Sequence, residues 1–508
     1  MIHGHATREA TERQLQKHHP LAYSRLGTTK LSTSQAGFGC YRVSAGVAHH
    51  EKALHKALIE GINLIDTSSN YADGASETLV GQVLEDLVGQ GRLTREAIIV
   101  VSKVGYLQGQ NYDLSQERKQ QGRPFQELVP YRNGLEHCIH PEFLRDQLVR
   151  SLERLKLETL DYYLLHNPEY YLEWAHENGD ALDTARDEYY RRIQAAFEYL
   201  EDEVLKGRIR HYGISSNTFP AAADQPYFTC LETLWNIAES LNSKHHFRLV
   251  QLPLNLMEPE AVLEKNQPCG DSVLEFAQRQ GLGVLVNRPL NAFYRNQLFR
   301  LAQVPTFRNH PKDEVVRKIQ LLSKSEKSLW MKILPALKVP PGLQTRIKEQ
   351  MALGDTLKHH WLNFGSYERW RQVKTGNLQP RIQGVMDFLE PYHSQSEDLS
   401  EWSVSHRQRV EDAFNAVASL YAEQASLRVD RVRRAMAAAD QEWASEGTLS
   451  QKALRAVRST EAVTCVLTGM RREAYVSDVI TELRRPVSQK ARVASWQALT
   501  TELHNNPM

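Results

Sequence analysis

Strand-like and helix-like runs alternate through the first 290 residues of this 508-residue chain. Ala97–Val101 is an uninterrupted apolar run, the pattern of a strand that is buried on both faces. His140–Lys156 shows the contrasting pattern, with apolar residues spaced three or four apart along one helical face. Seven such strands with helices between them, and an eighth near residue 465, predict a parallel sheet. Eight β/α repeats favour a closed (β/α)8 barrel.

A doubly wound open sheet is the alternative architecture for the same alternation. The predicted strands are Gln35–Gly39, Ile62–Asp66, Ala97–Val101, Tyr162–Leu165, Arg208–Ser215, Leu249–Leu254, Val284–Val286 and Val463–Leu467. A doubly wound dinucleotide-binding sheet predicts the motif G-x-G-x-x-G after a strand. None of these runs is followed by that motif, so the sequence favours the barrel.

The long gap between the seventh and eighth strands predicts an insertion. We expect a flexible lead-in at 1–21, the barrel through strand seven at 22–294, a helical insertion at 295–445, the last helix and strand eight at 446–490, and a tail at 491–508. Between Val404 and Glu446 there is no glycine or proline, which is typical of long helices. An accessory helical subdomain that roofs the catalytic face is the first interpretation of 295–445. An arm for partner binding or oligomerisation is the second.

Composition excludes several classes of function. Hydrophobic residues make up 41% and charged residues 24% of the chain, and the formal net charge is +1. A near-neutral chain has no global field for nucleic acid or an anionic membrane. A basic cluster at Arg428–Arg434 is diluted by neighbouring acids, so we expect no nucleic-acid partner and no membrane partner. The five cysteines lie far apart without a C-x-x-C motif, which predicts a reducing, cytoplasmic location.

A metal site is not predicted. His137-Cys138-Ile139-His140 looks like a ligand cluster, but it lacks a second ligand pair at the spacing of a zinc site.

Four polar residues of different kinds follow the apolar runs. Asp66 and Tyr71 lie at the end of the second predicted strand, Lys103 ends the third, and His166 ends the fourth. Because parallel barrels build their active sites at the C-terminal ends of strands, we expect these four side chains to meet in one catalytic site.

The same residues resemble the aldo-keto reductase signature in order and spacing. The resemblance covers about residues 22–293 and 447–480 and leaves the helical insertion without a counterpart. It is carried by Ile62–Tyr71, Gly74-Ala75-Ser76-Glu77, Lys103, Asp161–His166, Gly213–Asn217, Gln251 and Arg288-Pro289-Leu290.

The resemblance implies reversible hydride transfer between NADPH and a carbonyl or sugar-like substrate. Tyr71 would act as general acid, Asp66 would hold Lys103, and His166 would orient the substrate oxygen. The Lys103 cation is expected to lower the pKa of Tyr71 from about 10. The alternative function is an NADPH-binding regulatory or partner-binding subunit with little turnover.

The resemblance also implies a set of cofactor contacts. Arginines after strand eight suit a dianionic 2′-phosphate, which favours NADPH over NADH. Asn287 departs from the family, which usually has an aromatic residue there to stack on the nicotinamide. The implied contacts are Gly39, Cys40, Tyr41, Asp66, Ser216, Asn217, Gln251, Arg288, Leu290, Gly469, Arg471 and Arg472.

Overall fold

Eight parallel strands close into a barrel, which confirms the predicted fold and excludes the open sheet. The computed structural model describes residues 1–294, 297–305, 307–337 and 339–505. The strands are numbered in chain order: β1 Ala36–Gly39, β2 Leu64–Asp66, β3 Ile99–Val104, β4 Leu160–His166, β5 Ile209–Ser215, β6 Phe247–Pro253, β7 Gly283–Asn287 and β8 Cys465–Thr468.

The strand register brings the C-terminal ends of the strands together. Asp66 lies beside Gly39 of β1 and Val101 of β3. His166 of β4 is paired with Ser215 of β5, and Ser215 is paired with Gln251 of β6. The barrel closes where β8 pairs with β7 on one side and with β1 on the other.

Helices follow the strands as the alternation predicts. Pro141–Leu155 illustrates the sequence signals: proline stands in its first turn, the His140 ring accepts from the Glu142 N–H, and its buried residues include Phe143 and Leu148. The helices around the barrel are Ala48–Ile59, Ala75–Gly89, Gln110–Gln120, Pro141–Leu155, Tyr170–Glu177, Leu182–Leu205, Leu231–Leu241, Glu260–Leu263, Val273–Arg279, Gln441–Ala444, Leu449–Arg458, Glu473–Leu483 and Val493–Asn505.

The N-terminal segment is helical where a flexible lead-in was expected. Helix Arg8–Lys17 begins at Thr7, whose side chain accepts from the Ala10 N–H. The Ala6 N–H donates to Asp161 at 2.6 Å, and Ala6 is buried in the cluster at the base of the barrel. A hairpin of Tyr23–Leu26 and Leu31–Ser34 adds to that cluster.

Residues 302–435 form a second compact unit with its own apolar core. Its α-helices are Lys312–Ser328, Pro341–Gln350, Leu353–His360, Tyr367–Val373, Gln379–Leu389 and Glu397–Ala439, the last of which extends past the unit. Glu326 is buried there, and its carboxyl oxygens accept the backbone N–H groups of Leu353 and Gly354.

Two predicted boundaries fall outside the described residues: residue 295, where the insertion was expected to begin, and residue 508, where the expected tail ends. A hairpin of Asn291–Tyr294 and Gln297–Arg300 flanks the first boundary, and helix Val493–Asn505 precedes the second.

None of the helices in the described ranges has the length and apolar content needed to cross a bilayer.

Candidate active site

The four predicted catalytic residues lie together at the C-terminal end of the barrel. Lys103 Nζ is 2.6 Å from Asp66 Oδ1 and 5.1 Å from the centroid of the Tyr71 ring. The Tyr71 and His166 rings are 5.9 Å apart, edge to face. An acid, a base, a phenol and an imidazole therefore share one small site.

The Asp66–Lys103 ion pair is buried within the strands. Lys103 is 0% exposed and Asp66 is 3% exposed. The ammonium also donates to the Thr67 carbonyl oxygen at 2.8 Å. Burial lowers the pKa of Lys103, and the adjacent Asp66 carboxylate opposes that change. Because a buried charge is costly without a partner, this pair holds its geometry tightly.

Tyr71 lies on a loop with an unusual backbone. The next three residues, Ala72, Asp73 and Gly74, have φ values of 49°, 55° and 88°. Non-glycine residues adopt such values at a cost that surrounding contacts must offset. The Asp73 carboxylate supplies one contact by accepting the Gln110 N–H. The loop after β3 thereby fixes the loop that carries Tyr71.

The expected effect of Lys103 on the Tyr71 pKa is not the dominant one. Burial, and then the Asp66 carboxylate, raise the pKa of Tyr71 well above its ordinary value near 10. The sequence identified a neighbouring cation, but the neighbouring anion and the loss of water outweigh it. Tyr71 is therefore a phenol that keeps its proton at neutral pH.

His166 is held from two sides. The Ser68 hydroxyl is 3.1 Å from His166 Nδ1, and the His137 ring donates to the His166 carbonyl oxygen at 2.8 Å. Burial, followed by Lys103, lowers the pKa of His166 well below its ordinary range. His166 is thus a neutral imidazole with a fixed orientation.

The predicted cofactor residues on β5 and β6 divide into two groups. Gln251 donates to Asp66 Oδ1 at 2.8 Å and accepts from the Ser215 hydroxyl at 3.0 Å, so it belongs to the Asp66 network. Ser216 is buried, and its hydroxyl is 3.1 Å from that of Thr218. Asn217 is exposed, and its N–H donates to Glu169 at 2.8 Å.

The residues after β7 are partly engaged within the chain. Arg288 Nη2 is 3.1 Å from Glu258 Oε1, and Arg288 has φ of 50°. The side-chain oxygen of Asn287 is buried and has no hydrogen-bond partner among the described residues. Leu290 is half-buried beside them in sequence. The guanidinium of Arg288 thus lies against an acid in this structure.

The other predicted cofactor residues lie near the ends of β1 and β8. Gly39 ends β1, Cys40 is buried, and Tyr41 is 64% exposed with its ring 5.3 Å from that of Tyr71. Following β8, a side chain added at Gly469 would meet open space. Arg471 and Arg472 follow it directly, and Arg472 precedes the first residue of helix Glu473–Leu483.

Sequence reasoning missed four residues that organise this site. Ser68 and Ser215 bond to His166 and Gln251, Tyr106 packs its ring 4.7 Å from the His166 ring, and Glu169 bonds to the Asn217 N–H. Ser68 lies two residues after Asp66, and Ser215 ends a strand. The position at a strand end, which identified the four predicted catalytic residues, could therefore have identified both serines. Tyr106 and Glu169 have no such signal.

Comparisons with known proteins agree on one family. The model of the aldo/keto reductase family matches residues 36–325. The NADH-specific methylglyoxal reductase of Escherichia coli is 32% identical over 152 residues, which are 28% of this chain and 40% of that protein. The 6-dehydroglucose reductase of Novosphingobium aromaticivorans is 27% identical over 208 residues, 39% of this chain and 53% of that protein. These matches therefore span about half or less of each relative.

Solved structures of this family also resemble the chain. An aldo/keto reductase from Klebsiella pneumoniae, solved with NADP and acetate, is 22% identical with a TM-score of 0.33, covering 53% of this chain and 68% of that one. A glycerol dehydrogenase from Gluconobacter oxydans is 16% identical with a TM-score of 0.45, covering 96% of both chains. Since the family model spans more than half of the sequence, the chain belongs to the aldo/keto reductase family.

Proposed function

We propose that this protein is an NADPH-dependent oxidoreductase that reduces a carbonyl or sugar-like substrate, with Tyr71 as general acid. The observation that carries the proposal is the meeting of Asp66, Tyr71, Lys103 and His166 at one end of the barrel, with Lys103 Nζ 5.1 Å from the Tyr71 ring. A phenol beside a fixed cation suits the delivery of one proton to an oxygen that becomes negative.

The residues of the barrel fit a nicotinamide cofactor. Asn287 Oδ1 and Ser69 Oγ are buried without hydrogen-bond partners among the described residues, and a polar ligand would satisfy such atoms. A side chain added at Gly469 would meet open space, and Arg471 and Arg472 follow Gly469 in the sequence. Two guanidinium groups suit a 2′-phosphate, which is the reason for favouring NADPH.

When bound, NADPH supplies the hydride. Tyr71 gives its proton to the substrate oxygen, and its raised pKa means that the phenol stays protonated until that oxygen gains negative charge. Lys103 then stabilises the phenolate, because its ammonium is held in place by Asp66 and the Thr67 carbonyl. The reverse reaction, alcohol oxidation, needs the Tyr71 phenolate, so its rate should rise with pH.

The test is Tyr71→Phe, measured against a panel of aldehydes, ketones and sugars. Methylglyoxal and 6-dehydroglucose, named in two relatives, open the panel. We expect kcat to fall about 10²- to 10⁴-fold, the usual contribution of a general acid, while NADPH affinity is kept. Tyr392→Phe removes the same hydroxyl from a residue of the helical unit and is the control.

Near-normal turnover by Tyr71→Phe would exclude Tyr71 as the acid. Tight NADPH binding by the wild-type protein, with no turnover on any substrate, would favour the regulatory subunit instead.

A further inference from the structure

Glu169 is a buried carboxyl that the catalytic cluster does not use. It lies three residues after His166, in the loop between β4 and helix Tyr170–Glu177, and is 1% exposed. Its Oε1 accepts the Asn217 backbone N–H at 2.8 Å and the Asn167 side-chain N–H at 2.9 Å. One carboxyl oxygen therefore ties the loop after β5 to the loop after β4.

The second carboxyl oxygen of Glu169 differs from the first in its hydrogen bonding. Oε2 is buried and has no hydrogen-bond partner among the described residues. Oε1 already accepts two N–H groups, so a proton added to this carboxyl would bind at Oε2. A buried acceptor without a donor is costly when it carries charge, and protonation removes that cost.

Several ionisable groups interact with Glu169. Glu173 lies on the adjoining helix and Tyr170 begins that helix, with Arg132 beside Tyr170. Tyr189 lies on helix Leu182–Leu205, and Tyr106 lies in the short strand Tyr106–Leu107. Burial is the main cause that raises the pKa of Glu169 to about 7. The N–H groups of Glu169 and Asn217 and the Ser216 hydroxyl oppose this rise, and the Glu173 charge adds to it. The carboxyl thus changes charge near neutral pH.

We propose that Glu169 is a positioning residue that fixes the loop after β5 for cofactor binding, and that proton uptake at its free oxygen weakens this hold. The proposal rests on the proposed function, because Ser216 and Asn217 are among the cofactor contacts that the family resemblance implies. A carboxylate accepts hydrogen bonds about twice as strongly as a neutral carboxyl. Protonation therefore weakens both N–H bonds at Oε1, and the Asn217 backbone is free to shift.

The experiment is a fluorescence titration with NADPH at about pH 6 and about pH 8, on the wild type and on Glu169→Gln. The glutamine keeps one acceptor oxygen and does not titrate. We expect wild-type affinity to fall about tenfold as pH drops through 7, since the bonding carboxylate is present above its pKa and lost below it. The NADPH affinity of Glu169→Gln should not show this tenfold fall. The 2′-phosphate of NADPH titrates equally with both proteins. The ratio of the two NADPH affinities at each pH therefore reports the effect of Glu169 alone.

Asn167→Gly gives an independent second variant. Asn167 has φ of 53°, which glycine tolerates, and the change removes one of the two donors to Oε1. The loss of this hydrogen bond destabilises the Glu169 carboxylate, so the pH at which NADPH affinity falls should move upward. This variant decides the matter if Glu169→Gln does not fold.

The outcomes separate the two proposals. The role of Glu169 would be overturned if the NADPH affinity of the wild type changed with pH as that of Glu169→Gln does. It would also be overturned if the pH midpoint of NADPH affinity did not move in Asn167→Gly. Either result would leave the proposed function standing. A wild-type protein that binds neither NADPH nor NADH at either pH would overturn both.

Discussion

The buried pair Asp66–Lys103 makes a quantitative prediction about stability. Asp66→Asn leaves the Lys103 ammonium at 0% exposure without a negatively charged partner, and only neutral oxygens, the asparagine Oδ1 and the Thr67 carbonyl, accept from it. The asparagine keeps an oxygen for the Gln251 amide, so the change removes charge and little else. Stranding one member of a buried ion pair costs about 3–5 kcal/mol.

A second substitution tests whether the stranded charge is the cause. In Asp66→Asn/Lys103→Met both charges are gone, and replacing a whole buried pair by neutral groups is often close to neutral in free energy. The double variant should therefore be more stable than Asp66→Asn alone, although it carries one more substitution.

Hydrogen exchange measured by mass spectrometry is the suitable assay, because the chain contains two compact units and a single unfolding free energy is not defined for it. Peptides that cover β2 and β3 should exchange roughly 10²- to 10⁴-fold faster in Asp66→Asn, at about 1.4 kcal/mol per tenfold. Asp146→Asn breaks a half-buried pair with Arg150 that water still reaches, and it should change exchange little. Exchange in the double variant that equals or exceeds that of Asp66→Asn would refute the reasoning.

Three further predictions follow from packing and charge. Gly81→Ala would place a methyl group against the Arg154 carbonyl oxygen, so hydrogen exchange in helix Ala75–Gly89 should become faster by the equivalent of about 1–3 kcal/mol. Gly89→Ala meets open space and should slow exchange there by the equivalent of about 0.5–1 kcal/mol. Burial raises the pKa of Glu326 to about 8, so the helical unit should lose stability as pH rises from about 4.5 through 8. The midpoint of thermal unfolding of this unit should depend less on pH in Glu326→Gln than in the wild type. Arg472→Ala should weaken NADPH binding about tenfold without changing NADH binding, and equal losses for both cofactors would exclude a 2′-phosphate contact.

Strand ends were predictable because short apolar runs stop abruptly at polar residues. The run before Asp66 and the run before Lys103 each read as a strand, and parallel topology alone then places both ends at one rim. Helix Pro141–Leu155 was predictable for a similar reason, since its apolar stripe and its proline are local signals.

Other features depend on distant contacts that no local pattern carries. Helix Arg8–Lys17 is very polar and buries only Ala10, Thr11 and Gln14, so its hydropathy resembles that of a flexible segment. The Tyr71 pKa depends on loss of water, which the sequence does not record. The four residues that meet at the rim of the barrel were predictable from the sequence, while their charges depend on burial.

The position of β8 has a consequence for how the chain folds. It pairs with β1, from which it is separated by more than 400 residues, and about 180 residues lie between the end of β7 and its start. At roughly 5–20 residues per second, a ribosome needs on the order of ten to thirty seconds to make that stretch. Throughout this interval β1 and β7 have unpaired edges, the surfaces on which sheet proteins aggregate. The barrel of this protein is therefore most vulnerable during synthesis, and chaperone dependence should fall on the nascent chain that ends before residue 465.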